Sequence, residues 1–174
     1  MKDETTAVRI APITLDDVEG FRAALDSVAR ERRFLIFLEA PPPEAARAFV
    51  AANLREGNPQ FVAHDGGRVV GWCDIQRSSH AVRAHCGTLG MGVVTGHRGR
   101  GIGRALLDAT LEAARGAGVR RVELSAYASN LAAIALYERM GFRHEGRQRD
   151  AYRIDGRFED AVSMALVWPE AAAG

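Results

Sequence analysis

Apolar positions along this chain switch between two periods, and the switches mark its elements. Val8-Arg9-Ile10-Ala11-Pro12 alternates as a short opening strand. Thr14 then suits a helix cap, because Asp16 and Asp17 follow where carboxylates favour the positive helix end. Val18, Phe21, Leu25 and Val28 recur at helical spacing and carry a first helix to about Arg30. Pro41-Pro42-Pro43 breaks the chain, and a second helix is expected from Glu44 to Arg55. After Gly57-Asn58-Pro59 the period becomes two: Gln60 to His64, a turn at Asp65-Gly66-Gly67, and Arg68 to Gln76 predict a hairpin. A polar loop leads to a glycine-rich strand, Cys86 to Val94, and a glycine-dense turn opens a helix at Ile102 that ends near Gly116 or Gly118. Val122 to Tyr127 is a strand, Leu131 to Met140 a helix stopped by Gly141, and Phe142 to Tyr152 with Phe158 to Val167 a closing hairpin around Asp155-Gly156. The order is one strand, two helices, three strands, helix, strand, helix, two strands.

With 174 residues and no internal repeat or linker, residues 1–174 read as one α/β domain with a frayed tail, Glu170 to Gly174. A formal net charge of +1 lacks the electrostatic footprint of a dedicated nucleic-acid binder. No apolar run nears the roughly 20 residues of a membrane-spanning helix, and Met1-Lys2-Asp3-Glu4 lacks a signal-peptide core. Cys73 and Cys86 have no metal or redox spacing, so free buried thiols and a reducing cytoplasm are expected. The five histidines show no metal-ligand grouping, and no metal site is expected. Arg30-Glu31-Arg32-Arg33 reads as a solvated helix end rather than an RNA patch.

The stretch Thr95-Gly96-His97-Arg98-Gly99-Arg100-Gly101-Ile102-Gly103-Arg104 follows a strand and opens a helix. Glycines let the backbone bend sharply and bring its N–H groups close to an anion, and the helix N-terminus adds unpaired donors. Arg98, Arg100 and Arg104 can add side-chain charge. The GxxxxGK[ST] loop is absent, and the dinucleotide pattern GxGxxG fails because its third glycine falls on Arg104. What fits is [RQ]xxGx[GA], read from Arg98 to Gly103.

A second stretch, Asn130-Leu131-Ala132-Ala133-Ile134-Ala135-Leu136-Tyr137 with Gly141-Phe142 at the helix end, completes a pattern. Together the two resemble the GNAT N-acetyltransferase superfamily, over most of the domain from Phe61 to Val167. Asn130 serves as an ordinary helix cap in any reading; the resemblance adds a role beside coenzyme A. Tyr137, by itself a packing residue, is by resemblance the general acid that protonates the departing thiolate, a task a neutral phenol suits.

The resemblance implies a mixed, twisted sheet of about seven strands whose fourth and fifth strands splay apart, flanked by about four helices. It places the acetyl-CoA pyrophosphate on Arg98, Gly99, Arg100, Gly101, Ile102, Gly103 and Arg104. The pantetheine then lies along Met91, Gly92 and Val93, with Asn130 nearby, and a backbone N–H meets the thioester carbonyl. Gly90 and Gly92 are read as a close approach of that ligand or as a bulge. Relatives often carry a general-base Glu on the fourth or fifth strand, yet Gly87, Thr88, Leu89 and Gly90 offer no carboxylate. In the branch that acetylates ribosomal-protein N-termini a Glu precedes the motif Asn by five residues; Ser125 stands there. Glu39, Asp74, His80, His85 or a water chain remain as candidates. The expected activity is direct transfer of acetyl from acetyl-CoA to a primary amine of a small molecule such as an amino acid, close to the phosphinothricin-type branch. A protein N-terminal or lysine acetyltransferase and a non-catalytic coenzyme A sensor are the alternatives, and a homodimer is the analogy the family offers.

Overall fold

Prolines, glycines and caps set the element boundaries close to where the sequence puts them. The computed structural model describes residues 7–169, so the expectations for Met1 to Glu4 and for the tail lie outside the described residues. The strands are β1 (Arg9–Pro12), β2 (Gln60–Asp65), β3 (Arg68–Arg77), β4 (Cys86–Val93), β5 (Arg121–Tyr127), β6 (Arg143–Ile154) and β7 (Arg157–Val167). The helices are α1 (Val18–Ala29), α2 (Pro43–Glu56), α3 (Ile102–Gly116) and α4 (Leu131–Arg139). Thr14 and Asp17 form a capping box around a 3-10 turn that leads into α1. Pro43 opens α2, and Gly57, in the left-handed region, closes it.

The sheet runs β1-β2-β3-β4-β5-β7-β6. Every neighbouring pair is antiparallel except β4 and β5, whose parallel pairing covers only Cys86↔Arg121, Gly87↔Val122 and Thr88↔Glu123. Beyond Thr88, β4 stays paired with β3 up to Val93, while β5 stays paired with β7 up to Tyr127. The two strands part there, as the resemblance implies.

Alternation along the strands divides the core into two layers. Cys73, Ile75, Leu89, Val122 and Leu124 pack with Leu106, Leu107, Ile134 and Tyr137 from α3 and α4. On the other face Trp72 joins Phe21, Val28 and Val50 from α1 and α2. Trp72 is core: it is 3% exposed and meets Phe21 edge-on at 5.8 Å. Its ring also explains Gly92, its register partner on β4. A Cβ on Gly92 would stand 2.4 Å from the indole, so packing alone requires glycine there. Gly92→Ala should therefore destabilise the fold by about 1–3 kcal/mol, and Trp72→Leu should reduce that penalty in a double-mutant cycle. Urea unfolding checks this; an unchanged midpoint for Gly92→Ala would refute the contact.

Candidate active site

The turn between β4 and α3 is shaped by glycines. Gly96, Gly99 and Gly101 take φ of 87°, 72° and 79°, a region L-residues rarely adopt, and a Cβ at any of them would meet nothing within 4 Å. Gly101 caps α3 with no side-chain hydrogen bond. The first-turn N–H groups of a 15-residue helix therefore open onto a bare concave backbone, the geometry that receives phosphate.

The three arginines of the turn differ in what holds them. Arg98 grips Glu31 with its guanidinium, Nη1 to Oε2 at 2.9 Å, and donates from Nε to the Val93 carbonyl at 2.8 Å. Its guanidinium also lies 4.8 Å from the centre of the Phe34 ring. Arg98 thus ties the turn to the end of α1. Arg100 stands 3.5 Å from Asp65, which His97 also approaches, and Arg104 is exposed beside Asp108. Those two pairs are looser than the Arg98 grip, so Arg100 and Arg104 are the side chains freer to turn toward an anion.

Gly103, in the first turn of α3, brings that helix against β4 and α4. A Cβ there would stand 3.3 Å from Leu136 Cδ2 and 3.5 Å from Met91 Cε. Where β4 has left β5, its backbone has one bonded side and one open side. Val94 N–H bonds the Val70 carbonyl and the Cys86 carbonyl accepts from Ser78 N–H, so even-numbered residues point at β3. The N–H and C=O groups of Leu89 and Met91 and the N–H of Val93 consequently face the opening, the Val93 carbonyl being taken by Arg98, whereas those of Gly92 belong to the ladder.

Across the opening, Asn130 caps α4 by accepting from Ala133 N–H at 3.4 Å. Tyr137, about two turns on, is 7% exposed, with its ring 5.7 Å from that of Phe142. Burial, then the proximity of Cys73, pushes its phenol above the ordinary value, so it stays a protonated donor. Cys73 is fully buried with its thiol raised by burial, and Cys86 is buried as well. Neither is an activated nucleophile.

The opposite face is polar and roofed. By register Thr88 and Gly90 of β4 share it with Asp74 of β3 and with Glu123, Ser125 and Tyr127 of β5. Tyr127 stacks on Tyr152 at 4.6 Å and donates to the Leu35 carbonyl at 2.8 Å, while Ser125 Oγ lies 3.2 Å from the Tyr152 hydroxyl. Arg32 closes on Asp155 at the β6–β7 turn with two bonds, 2.9 and 2.6 Å. The segment joining α1 to α2 is thereby tied down over the sheet. The basic run is an exposed helix end, as expected, and it also forms ties: Arg30 to Asp26, Glu31 to Arg98, and Arg32 to Asp155.

Comparison with known proteins follows from this geometry. The family model described as "Acetyltransferase (GNAT) family" matches residues 23–142. The chain belongs to the GNAT family. It is 40% identical over 102 residues to the N-alpha-acetyltransferase RimI of Mycobacterium tuberculosis, covering 59% of this chain and 61% of that protein. To the L-amino acid N-acetyltransferase AaaT of Escherichia coli it is 32% identical over 114 residues, 65% of this chain and 70% of the relative. The match thus spans about three fifths of the length of the first of these relatives. The fold matches yncA of Salmonella typhimurium, a putative acetyltransferase solved with its cofactor acetyl-CoA, with TM-score 0.89 at 22% identity over 97% of this chain and 98% of that one. Among the described residues no helix is long and apolar enough to cross a membrane, and no cluster of three or more metal-ligating side chains occurs.

Two features of this GNAT site were hidden in the sequence. Glu31 as the partner of Arg98 is separated from it by 67 residues, and only the packing of α1 shows it. Asp74 stood among several candidates; its distinction is burial. It is 7% exposed, and desolvation pushes its carboxyl up to about 7, only partly offset by the Gln76 amide. A folded-state value raised above the unfolded one means that Asp74 contributes stability below about pH 4 that is lost as pH rises through 7. Asp74→Asn copies the protonated form. It should be more stable than the native protein at pH 8.5, by on the order of 1–3 kcal/mol, with the difference vanishing below about pH 4. Urea unfolding at the two pH values checks the sign; a variant less stable at pH 8.5 would contradict it.

Proposed function

We propose that this chain is an acetyl-CoA-dependent N-acetyltransferase that acetylates the primary amine of a small molecule such as an amino acid. Family membership supports the reaction class. A coenzyme pyrophosphate and pantetheine suit the uncapped α3 end, its open glycine turn and the open side of β4, in a fold shared with yncA, which was solved with its cofactor acetyl-CoA. The observation that carries the small acceptor is the roof. The Arg32–Asp155 pair and the Tyr127–Leu35 bond fasten the α1–α2 segment across the sheet. Beside them lies a cavity of about 450 Å³, bordered by Arg33, Ser129 and Arg157 among others. That volume suits a small ligand, and Arg33 and Arg157 suit a carboxylate beside Asp155 and Glu159, which Arg32 and Ser129 N–H already engage. The two buried free thiols suit a reducing cytoplasm.

A protein N-terminus is the second reading, and the 40% identity to RimI favours it. Thiol release from acetyl-CoA with a panel of amino acids, simple amines and peptides with free N-termini separates the two. The account expects turnover with amino acids and little with peptides; the reverse order would replace the small acceptor with a peptide. No thiol release with any of these amines would leave a coenzyme-binding module.

Two variants test the assigned parts. Gly101→Asp sets a carboxylate against the pyrophosphate and should weaken acetyl-CoA binding at least tenfold, about 1.4 kcal/mol, while the fold survives. Calorimetric titration at native affinity would move the coenzyme elsewhere. Tyr137→Phe keeps the buried ring and removes the acid, so single-turnover acetylation should fall about 10²–10⁴-fold with little change in coenzyme affinity. A native single-turnover rate would remove Tyr137 from the chemistry.

A further inference from the structure

A protonated alkyl amine does not attack a thioester until it loses a proton, and β4 carries no carboxylate to take it. The register of the neighbouring strand supplies one. Asp74 on β3 is paired with Gly90 on β4, and its Oδ2 lies 3.5 Å from where a Gly90 Cβ would stand. The carboxylate of β3 therefore lies at contact distance from the place where a β4 side chain would begin, two residues past the last pair joining β4 to β5. Glycine at position 90 keeps that space open.

Resting on the acetyltransferase reading, we propose that Asp74 is the general base, reaching over Gly90 to take the proton of the acceptor ammonium. Other acidic groups of this face are committed elsewhere. Glu123 is paired with both Arg83 and Arg121, Glu159 accepts from Ser129 N–H at 2.9 Å, and Asp155 is held by Arg32. Glu39 is largely exposed beside Arg30, and His80 and His85 are exposed around the loop that precedes β4. Among the described residues Asp74 forms no ion pair.

The groups packed around Asp74 are amides. Gln60 is its register partner on β2, Gln76 lies two residues along β3, and Asn53 of α2 bonds both at 2.8 and 2.9 Å. Gly90 faces it from β4 without a side chain, and the titratable neighbour is Cys73, on the opposite face, whose thiol burial keeps protonated. The Gln60 Nε2 donor is buried without a partner, so a polar acceptor or a water beside Asp74 has a second group to bond. Burial without a cation leaves the carboxyl near neutrality in its proton affinity, where a base works best.

The step balances. Asp74 takes one proton from R–NH₃⁺, and the freed nitrogen lone pair forms the bond to the thioester carbonyl carbon. The C–S bond then breaks, its electron pair leaves on sulfur, and the thiolate takes the Tyr137 proton. The second amine proton leaves the nitrogen as the amide forms and restores the phenol. Asp74 afterwards releases its proton to solvent.

Asp74→Asn tests this with the best amine of the panel. Single-turnover acetylation at pH 7 should fall at least about 10²-fold. The loss should narrow toward pH 10, where the amine itself supplies the free base, and acetyl-CoA affinity should stay within twofold. A variant at the native rate, or one slower by the same factor at every pH from 6 to 10, would overturn the role of Asp74. Native protein that releases no thiol with any amine would instead overturn the acetyltransferase reading on which the role rests.

Discussion

After Thr88 and Glu123, β4 and β5 no longer satisfy each other's backbone groups. Each strand keeps its other neighbour, β3 or β7, for its full length, so the sheet is divided without being broken. The N–H and C=O groups exposed along that division need water or a ligand, because burying them unpaired costs about 1–3 kcal/mol each. Everything assigned to the site borders this gap. The α3 N-terminus stands at one end of it, Tyr137 approaches from the α3–α4 layer, and Asp74 lies on the α1–α2 face.

The division also separates two chemistries. On the α3–α4 side the walls are apolar, and Tyr137 and Cys73 are held neutral by burial. On the α1–α2 side an apolar layer around Trp72 gives way, past Trp72 along β3, to the amides of Gln60, Gln76 and Asn53 and the carboxyl of Asp74. A phenol and a carboxyl thus lie in opposite layers, each with its proton affinity moved upward by desolvation. The roof over the acceptor side depends on contacts far apart in sequence. Arg98 holds Glu31, Arg32 holds Asp155, and Tyr127 holds Leu35. A long-range ion pair at the surface adds little stability; the effect here is to fix a connecting segment in place.

Element boundaries were legible because they are written locally, in Thr14, Pro43, Gly57, Asn130 and Gly141. The glycine turn before α3 was legible for the same reason, since its shape resides in consecutive residues. What failed to show was register. Gly92 looked like a ligand's approach, yet Trp72 lies across it, twenty residues away in the chain. Arg30, Arg32 and Arg33 are exposed, as a solvated helix end should be, but the partners of Glu31 and Arg32, 67 and 123 residues distant, had no local mark. Asp74 had no local feature to separate it from Glu39 or His85; only the pairing with Gly90 and the burial of β3 do that.

The central claim is that the gap between β4 and β5, together with the α3 end, receives the coenzyme. Amide hydrogen exchange with and without acetyl-CoA tests it most directly. The account predicts new protection at the open-sided amides of β4, Leu89, Met91 and Val93, and in the first turn of α3 from Ile102 to Arg104. Protection elsewhere, with these amides exchanging as in the free protein, would contradict it.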